Sequence, residues 1–189
     1  DTSTFTLSGN NLTSWRDKSG NGYNATAYPR TGSITYSSGT AGVNVVAGGI
    51  SSGAYFQSPI PGGTFNDALY IFAVYKNTSS NTYNCLITRD TGGQARGRLE
   101  AFNTTREIDG QVGTPITSSY NLYNTSTSLY HIGINYTGNS IGEWSNGTAN
   151  TLTNVPNPLA SAVWNYDNDS VPLYIGSNNG FQKAFTGFF

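Results

Sequence analysis

Short runs of β-branched and aromatic residues recur along the whole chain, each closed off by glycine, proline or asparagine, and this pattern constrains the fold more than any other feature. The runs are TFTL, SITY, VNVV, AYFQS, LYIFAVYK, YNCLITR, RLEAF, SLYHIGINY, VPLYIGS and AFTGFF. Residues of this kind fit the pleated, partly covered surface of a strand, and the breakers between them supply turns. No long stretch carries the apolar period and capping residues of a helix. The pattern predicts an all-β chain, folded as a two-sheet antiparallel β-sandwich with almost no helix.

Length and charge narrow the classes further. The 189 residues suffice for one domain with its own core. Only 10% of them are charged and the formal net charge is -1, so there is no basic field to hold a phosphate backbone, and nucleic acid is not an expected partner. The polarity resides in Asn, Ser, Thr and Gly, as in exported β-proteins that stay soluble without salt-bridged helices. No apolar run reaches the ~20 residues that span a bilayer, so no membrane insertion is expected. The opening DTSTFTLSGN lacks the basic and apolar regions of a signal peptide, which places any export signal or anchor outside this chain.

Two strands disclose their surroundings. In SLYHIGINY, Tyr130, Ile132, Ile134 and Tyr136 fall on one face while His131, Gly133 and Asn135 fall on the other, which predicts a half-buried strand. In LYIFAVYK both faces are apolar, Leu69, Ile71 and Ala73 against Tyr70, Phe72 and Val74, which predicts a central strand covered on both sides. Cys85 is the only cysteine, so no internal disulfide forms; alternating with Tyr83 and Ile87, it reads as a small buried apolar residue. His131, the only histidine, has no serine or cysteine nucleophile nearby in sequence and reads as structural. In EWSNGTANTL, Asn146-Gly147 is the preferred pair for a type I′ hairpin tip. The Ser/Thr-rich stretch from Thr114 to Ser128 reads as a long surface loop.

The segment SWRDKSGNGYNAT admits two readings. As a calcium loop, Asp17, Ser19, Asn21 and Gly22 fit the opening positions, but the closing acidic ligand falls on Tyr28. A looser calcium site using Asp17 and backbone carbonyls stays open. As a turn, Asp17 and Ser19 accept backbone hydrogen bonds while Gly20, Asn21 and Gly22 take positive φ, and Trp15 and Tyr23 flank the corner.

The W-x-D-x-S-G-N-G signature from Trp15 to Gly22 resembles the opening of laminin-G-like domains of the concanavalin A-like jelly-roll superfamily. LYIFAVYKNTSS is similar to that family's central strand, IGEWSNGT to its aromatic-Asn-Gly hairpin, and PLYIGSNNGFQKAFTGFF to its closing I-G-S and F-x-G segment. The resemblance implies a single jelly-roll domain over residues 1–189, without an extra leading strand and without the strand that usually follows the F-x-G segment. A fragment of a larger protein is therefore expected, its open edge completed by further chain or by a neighbouring subunit, with self-assembly as one outcome. Modules of this kind occur in bacterial surface proteins and in structural proteins of large DNA viruses, which implies an extracellular place on a cell or virion surface.

The same superfamily holds retaining glucanases, and REIDGQVG matches the first two positions of their carboxylate motif with Glu107 and Asp109. Gln111 occupies the acid/base position. Such an enzyme needs a second carboxyl group about 5 Å from the nucleophile, and an amide cannot protonate the leaving oxygen, so no hydrolysis is expected. A carbohydrate site is expected in VWNYDNDS, where Trp164 can stack on a sugar ring and Tyr166, Asp167, Asn168 and Asp169 can meet its hydroxyls; Trp164 as an end plug of the sandwich is the competing reading. N-x-[ST] triplets occur at Asn11, Asn24, Asn77, Asn103, Asn124, Asn135, Asn146 and Asn168, and the loop sites at Asn77, Asn124 and Asn146 are the expected glycan carriers in a glycosylating host. Together these readings predict a non-catalytic structural or adhesion module whose partners are glycans or neighbouring surface proteins.

Overall fold

A computed structural model gives the fold, describing residues 2–36, 43–46, 54–60, 68–78, 83–90, 95–102, 106–109, 116–118, 128–135, 140–155, 172–177 and 187–188. Among these residues there is no α-helix, only a single 3-10 turn at Thr2–Thr4. The strands, in chain order, are β1 (Phe5–Ser8), β2 (Asn11–Trp15), β3 (Ala25–Tyr28), β4 (Ser33–Tyr36), β5 (Val43–Val46), β6 (Tyr55–Ser58), β7 (Ala68–Asn77), β8 (Tyr83–Asp90) and β9 (Ala95–Phe102). They continue with β10 (Arg106–Asp109), β11 (Ile116–Ser118), β12 (Ser128–Asn135), β13 (Ser140–Ser145), β14 (Thr148–Ala149), β15 (Leu152–Thr153), β16 (Leu173–Ile175) and β17 (Gly187–Phe188). The described residues are mainly antiparallel β-strand without α-helix, as the pattern of short β-branched and aromatic runs predicts.

Every described pairing is antiparallel. One arm runs β14, β13, β12, β7, and the far end of β7 reaches β17 through Asn77 opposite Gly187. From β17 the ladder passes to β5 and β4, and β4 meets β2 at Thr35 opposite Asn11. Strand β2 also pairs with β1 and β3; from β3 the order continues through β6, β16 and β8 to β9, β10, β11 and β15. Register shifts interrupt β8 between Cys85 and Ile87 and again between Ile87 and Arg89, so the strict alternation expected around Cys85 breaks there.

The first third of the chain builds a ring-filled core. Leu12 is buried between exposed Asn11 and Thr13, the period of two that a half-covered strand demands. Phe5 and Trp15, directly opposite on β1 and β2, meet edge to face at 5.4 Å, and Phe5 touches Tyr36 at 5.4 Å. Trp15 in turn meets Phe56 at 5.6 Å, and Phe56 is fully buried with Ile34 and Val43. Each such ring pair adds roughly 0.5–1.5 kcal/mol beyond the area it buries. On the other side of β3 and β6, Tyr28 stacks on Tyr55, Tyr174 abuts Tyr55 edge-on, and the Arg30 guanidinium lies 5.8 Å from the Tyr55 ring centre.

Strand β7 corrects one expectation. It is central, flanked by β12 along its length and by β17 at its end, but only one of its faces is covered. Tyr75 is buried and Ile71 and Ala73 are half-buried, whereas Tyr70, Phe72 and Val74 are 59%, 67% and 55% exposed. Apolar residues on both faces therefore do not signal double coverage here; Tyr70, Phe72 and Val74 stand open to solvent in a row that continues into exposed Lys76.

Candidate functional site

Two places combine unusual chemistry with described geometry: the corner between β2 and β3, and the open face of β7, β12 and β13.

The corner, residues 16–24, folds around one carboxylate. Asp17 Oδ1 accepts the Ser19 amide at 2.8 Å, and its Oδ2 accepts the Ser19 hydroxyl at 2.6 Å and the Tyr23 amide at 3.1 Å. The Asn21 amide donates to Ser19 Oγ at 3.2 Å, and the Asp17 amide donates to Asn24 Oδ1 at 2.9 Å, closing the loop across its neck. Gly20 and Gly22 sit at φ of 85° and 79°, which is why the signature spells glycine there. The Ser19 hydroxyl, then the Ser19 amide and the amides of Tyr23 and Gly22, hold the Asp17 carboxyl below the ordinary aspartate range, against the opposing effect of its partial desolvation. Outside the loop, Ser58 donates to the Tyr23 carbonyl at 2.8 Å and the Arg16 amide to the Thr4 carbonyl at 2.7 Å, tying the corner to β6 and to the first turn.

This arrangement does not fit a calcium site. Calcium takes six to eight oxygen ligands with their lone pairs free, and here N–H and O–H donors occupy both Asp17 oxygens. Among the described residues no group of three His, Cys, Asp or Glu side chains is placed to hold a metal ion. The side chains of W-x-D-x-S-G-N-G serve the turn, and Trp15 anchors it in the ring cluster.

The open face is set by register. Leu129, His131 and Gly133 on β12 lie opposite Val74, Phe72 and Tyr70 on β7; on the other side of β12, His131 and Gly133 lie opposite Trp144 and Gly142 on β13. Trp144 is half-buried because its indole lies over Gly142: a Cβ there would stand 2.8 Å from Cζ3 and 2.9 Å from Cζ2, and closer still to Cη2. Only glycine leaves room for that ring. The covered side of β13 is polar instead: Glu143, 1% exposed, accepts the Asn150 side-chain amide through Oε1 at 3.1 Å, and Ser145 Oγ accepts the same amide nitrogen at 2.7 Å.

Asn146 and Gly147 both have positive φ, 50° and 81°, as the type I′ tip requires. Asn146 also clamps β12: its amide donates to the Leu129 carbonyl at 2.8 Å, and the Leu129 amide donates to its Oδ1 at 2.9 Å. It stays exposed, as a glycan carrier must. Asn77 does not: it ends β7 rather than lying in a loop and is 1% exposed, so its amide nitrogen is out of reach of a glycan in the folded chain. Trp164, Tyr166, Asp167 and Asn168, together with Asn124, lie outside the described residues. Glu107 and Asp109 lie on β10, with Glu107 opposite Glu100 of β9, and Gln111 lies outside the described residues.

The apolar pattern of LYIFAVYK places Tyr70, Phe72 and Val74 in the core, and IGEWSNGT places Trp144 in a hairpin. The signal was present in the spelling G-x-W, a glycine two residues before a tryptophan on the same strand face. Compared with known proteins, the chain matches no family model and no curated sequence. Its class, by the fold alone, is that of an all-β protein built from antiparallel sheets.

Proposed function

We propose that this chain is a non-catalytic, surface-displayed adhesion or structural module of concanavalin A-like jelly-roll architecture that recognises carbohydrate. What supports the non-catalytic part is Gln111 at the acid/base position of REIDGQVG, where a retaining glycosidase needs a second carboxyl group. The resemblance of Trp15–Gly22 and of the closing segment to laminin-G-like domains supports the jelly roll, and the antiparallel, helix-free strands agree with it. Low charge and exposed aromatics favour neutral, hydroxyl-rich partners over nucleic acid or acidic ligands. The setting that goes with this reading is extracellular, on a cell envelope or a virion.

Glycan-array binding of the purified chain, with calcium and with a chelator, tests it. Binding that is insensitive to chelation is expected; reproducible silence from folded protein moves the reading to a capsid or fibre module that contacts other proteins. Turnover of a β-glucan that is lost on Glu107→Gln would overturn the non-catalytic assignment.

A further inference from the structure

We infer that Asn21-Gly22, in the corner between β2 and β3, is a site of spontaneous covalent modification: the asparagine deamidates through a succinimide to aspartate and isoaspartate, while the fold protects the same dipeptide at Asn146-Gly147. The inference is independent of the carbohydrate reading above. A third Asn-Gly pair, Asn179-Gly180, lies outside the described residues.

The reaction needs only water and a backbone nitrogen that can reach the side chain. The Gly22 nitrogen attacks Asn21 Cγ; an N–Cγ bond forms, the Cγ–Nδ2 bond breaks, and Nδ2 leaves as ammonia, with the proton that the Gly22 nitrogen gave up. Water then opens the five-membered ring at either carbonyl. Attack at the side-chain carbonyl gives aspartate, and attack at the main-chain carbonyl gives isoaspartate, whose backbone runs through the former side chain. Nothing is oxidised or reduced. Glycine favours the closure because no Cβ stands beside the attacking nitrogen. The rate then depends on how often side chain and nitrogen meet in a reactive arrangement.

The two described pairs differ in what holds the asparagine. Both Asn21-Gly22 and Asn146-Gly147 are exposed, so water reaches each. At the hairpin tip the side chain is committed: the Leu129 amide donates to Asn146 Oδ1 at 2.9 Å, the Asn146 amide donates to the Leu129 carbonyl at 2.8 Å, and Ser145 opposite Thr148 pins the backbone on both sides. Asn146 Cγ turns onto the Gly147 nitrogen only after the bond to Leu129 breaks. In the corner the Asn21 amide donates to Ser19 Oγ at 3.2 Å, but among the described residues no hydrogen bond holds the Asn21 side chain. Nor does Asn21 take the positive φ expected for it; only Gly20 and Gly22 on either side do. The Gly22 amide faces the Asp17 carboxylate, whose negative charge opposes that of a deprotonated nitrogen, so Asn21 reacts more slowly in the folded corner than in an unfolded chain. The order of rates is therefore unfolded chain, folded Asn21, folded Asn146. The product alters the corner: isoaspartate lengthens the main chain between Ser19 and Tyr23, both of which donate to Asp17.

The test is a time course of the full chain in mildly alkaline buffer, folded and in denaturant, read by peptide mapping with mass spectrometry and isoaspartate-sensitive fragmentation. In denaturant the peptides carrying Asn21 and Asn146 should convert at similar rates. In the folded chain Asn21 should convert about tenfold or more faster than Asn146, the factor that one or two hydrogen bonds supply. The separated form with isoaspartate at position 21 should melt at a lower temperature than its parent. Asn21→Gln, whose side chain has to close a six-membered ring, should leave the corner peptide unmodified over the same period. Folded-state rates that are equal at the two positions, or faster at Asn146, would overturn the inference. So would a folded chain in which Asn21 stays intact while the denatured chain converts.

Discussion

The corner between β2 and β3 and the open face of β7, β12 and β13 use aromatic residues in opposite ways. In the corner, Trp15 is wedged between Phe5 and Phe56, and the turn beside it gathers most of its donors on Asp17, with Asn24 and Ser19 accepting one each. On the face, Tyr70 and Phe72 are more than half exposed, and Trp144 is half-buried with its indole over Gly142. The contrast separates rings that hold the fold from rings that the fold holds out. A substitution should therefore cost much more stability in the corner than at the exposed positions of the face.

The largest stability effect is expected from Phe56→Ala, which empties a fully buried site in contact with Trp15; about 3–5 kcal/mol should be lost, read from chemical denaturation. Next comes Gly22→Ala, which forces an L side chain into left-handed backbone at φ 79° and should cost about 1–2 kcal/mol, although no atom stands in the way of the added methyl group. Asp17→Asn should act in a pH-dependent way. The carboxyl is held below its ordinary range by the Ser19 hydroxyl first, so its contribution is present above the unfolded pKa and is lost as pH falls through the lower folded value. Thermal melts of the wild type should thus drop on acidification below about pH 4, and the variant should show a flatter acid limb. The smallest effect is expected on the face, where Phe72→Ser should change stability by less than about 0.5 kcal/mol. A large loss there would erase the distinction between the two regions, since it would make Phe72 a core residue.

The corner was legible in the letters because its interactions are local. Asp17, Ser19, Gly20 and Gly22 lie within a few residues of one another, and turn chemistry specifies their roles without any knowledge of the rest of the chain. The same holds for Asn146-Gly147, although its clamp on Leu129 was not foreseeable, because that contact depends on how β12 and β13 pair. Strand β7 was read as strand but given the wrong surroundings. Hydrophobic pattern reports what a side chain is, and an open aromatic row spells the same as a buried one. Asn77 was misplaced for a related reason: its NTS string suggests a loop, while pairing with Gly187 from the far end of the sequence extends β7 through it.

The polar underside of β13 has a consequence for how this hairpin finds its place. Glu143 and Ser145 occupy the row shared with Ile132 and Ile71, where oil would ordinarily be chosen, and Trp144 occupies the wet row. Sliding β13 by a single residue against β12 would reverse this, tucking the indole under the sheet and releasing the carboxylate to water. Side-chain hydrophobicity by itself thus argues for the wrong alignment, and the vote against it is cast by Asn146, whose two bonds to Leu129 of β12 belong to the observed one. The hairpin tip acts as a ratchet tooth: without it, the slipped alignment becomes a competing, better-oiled state.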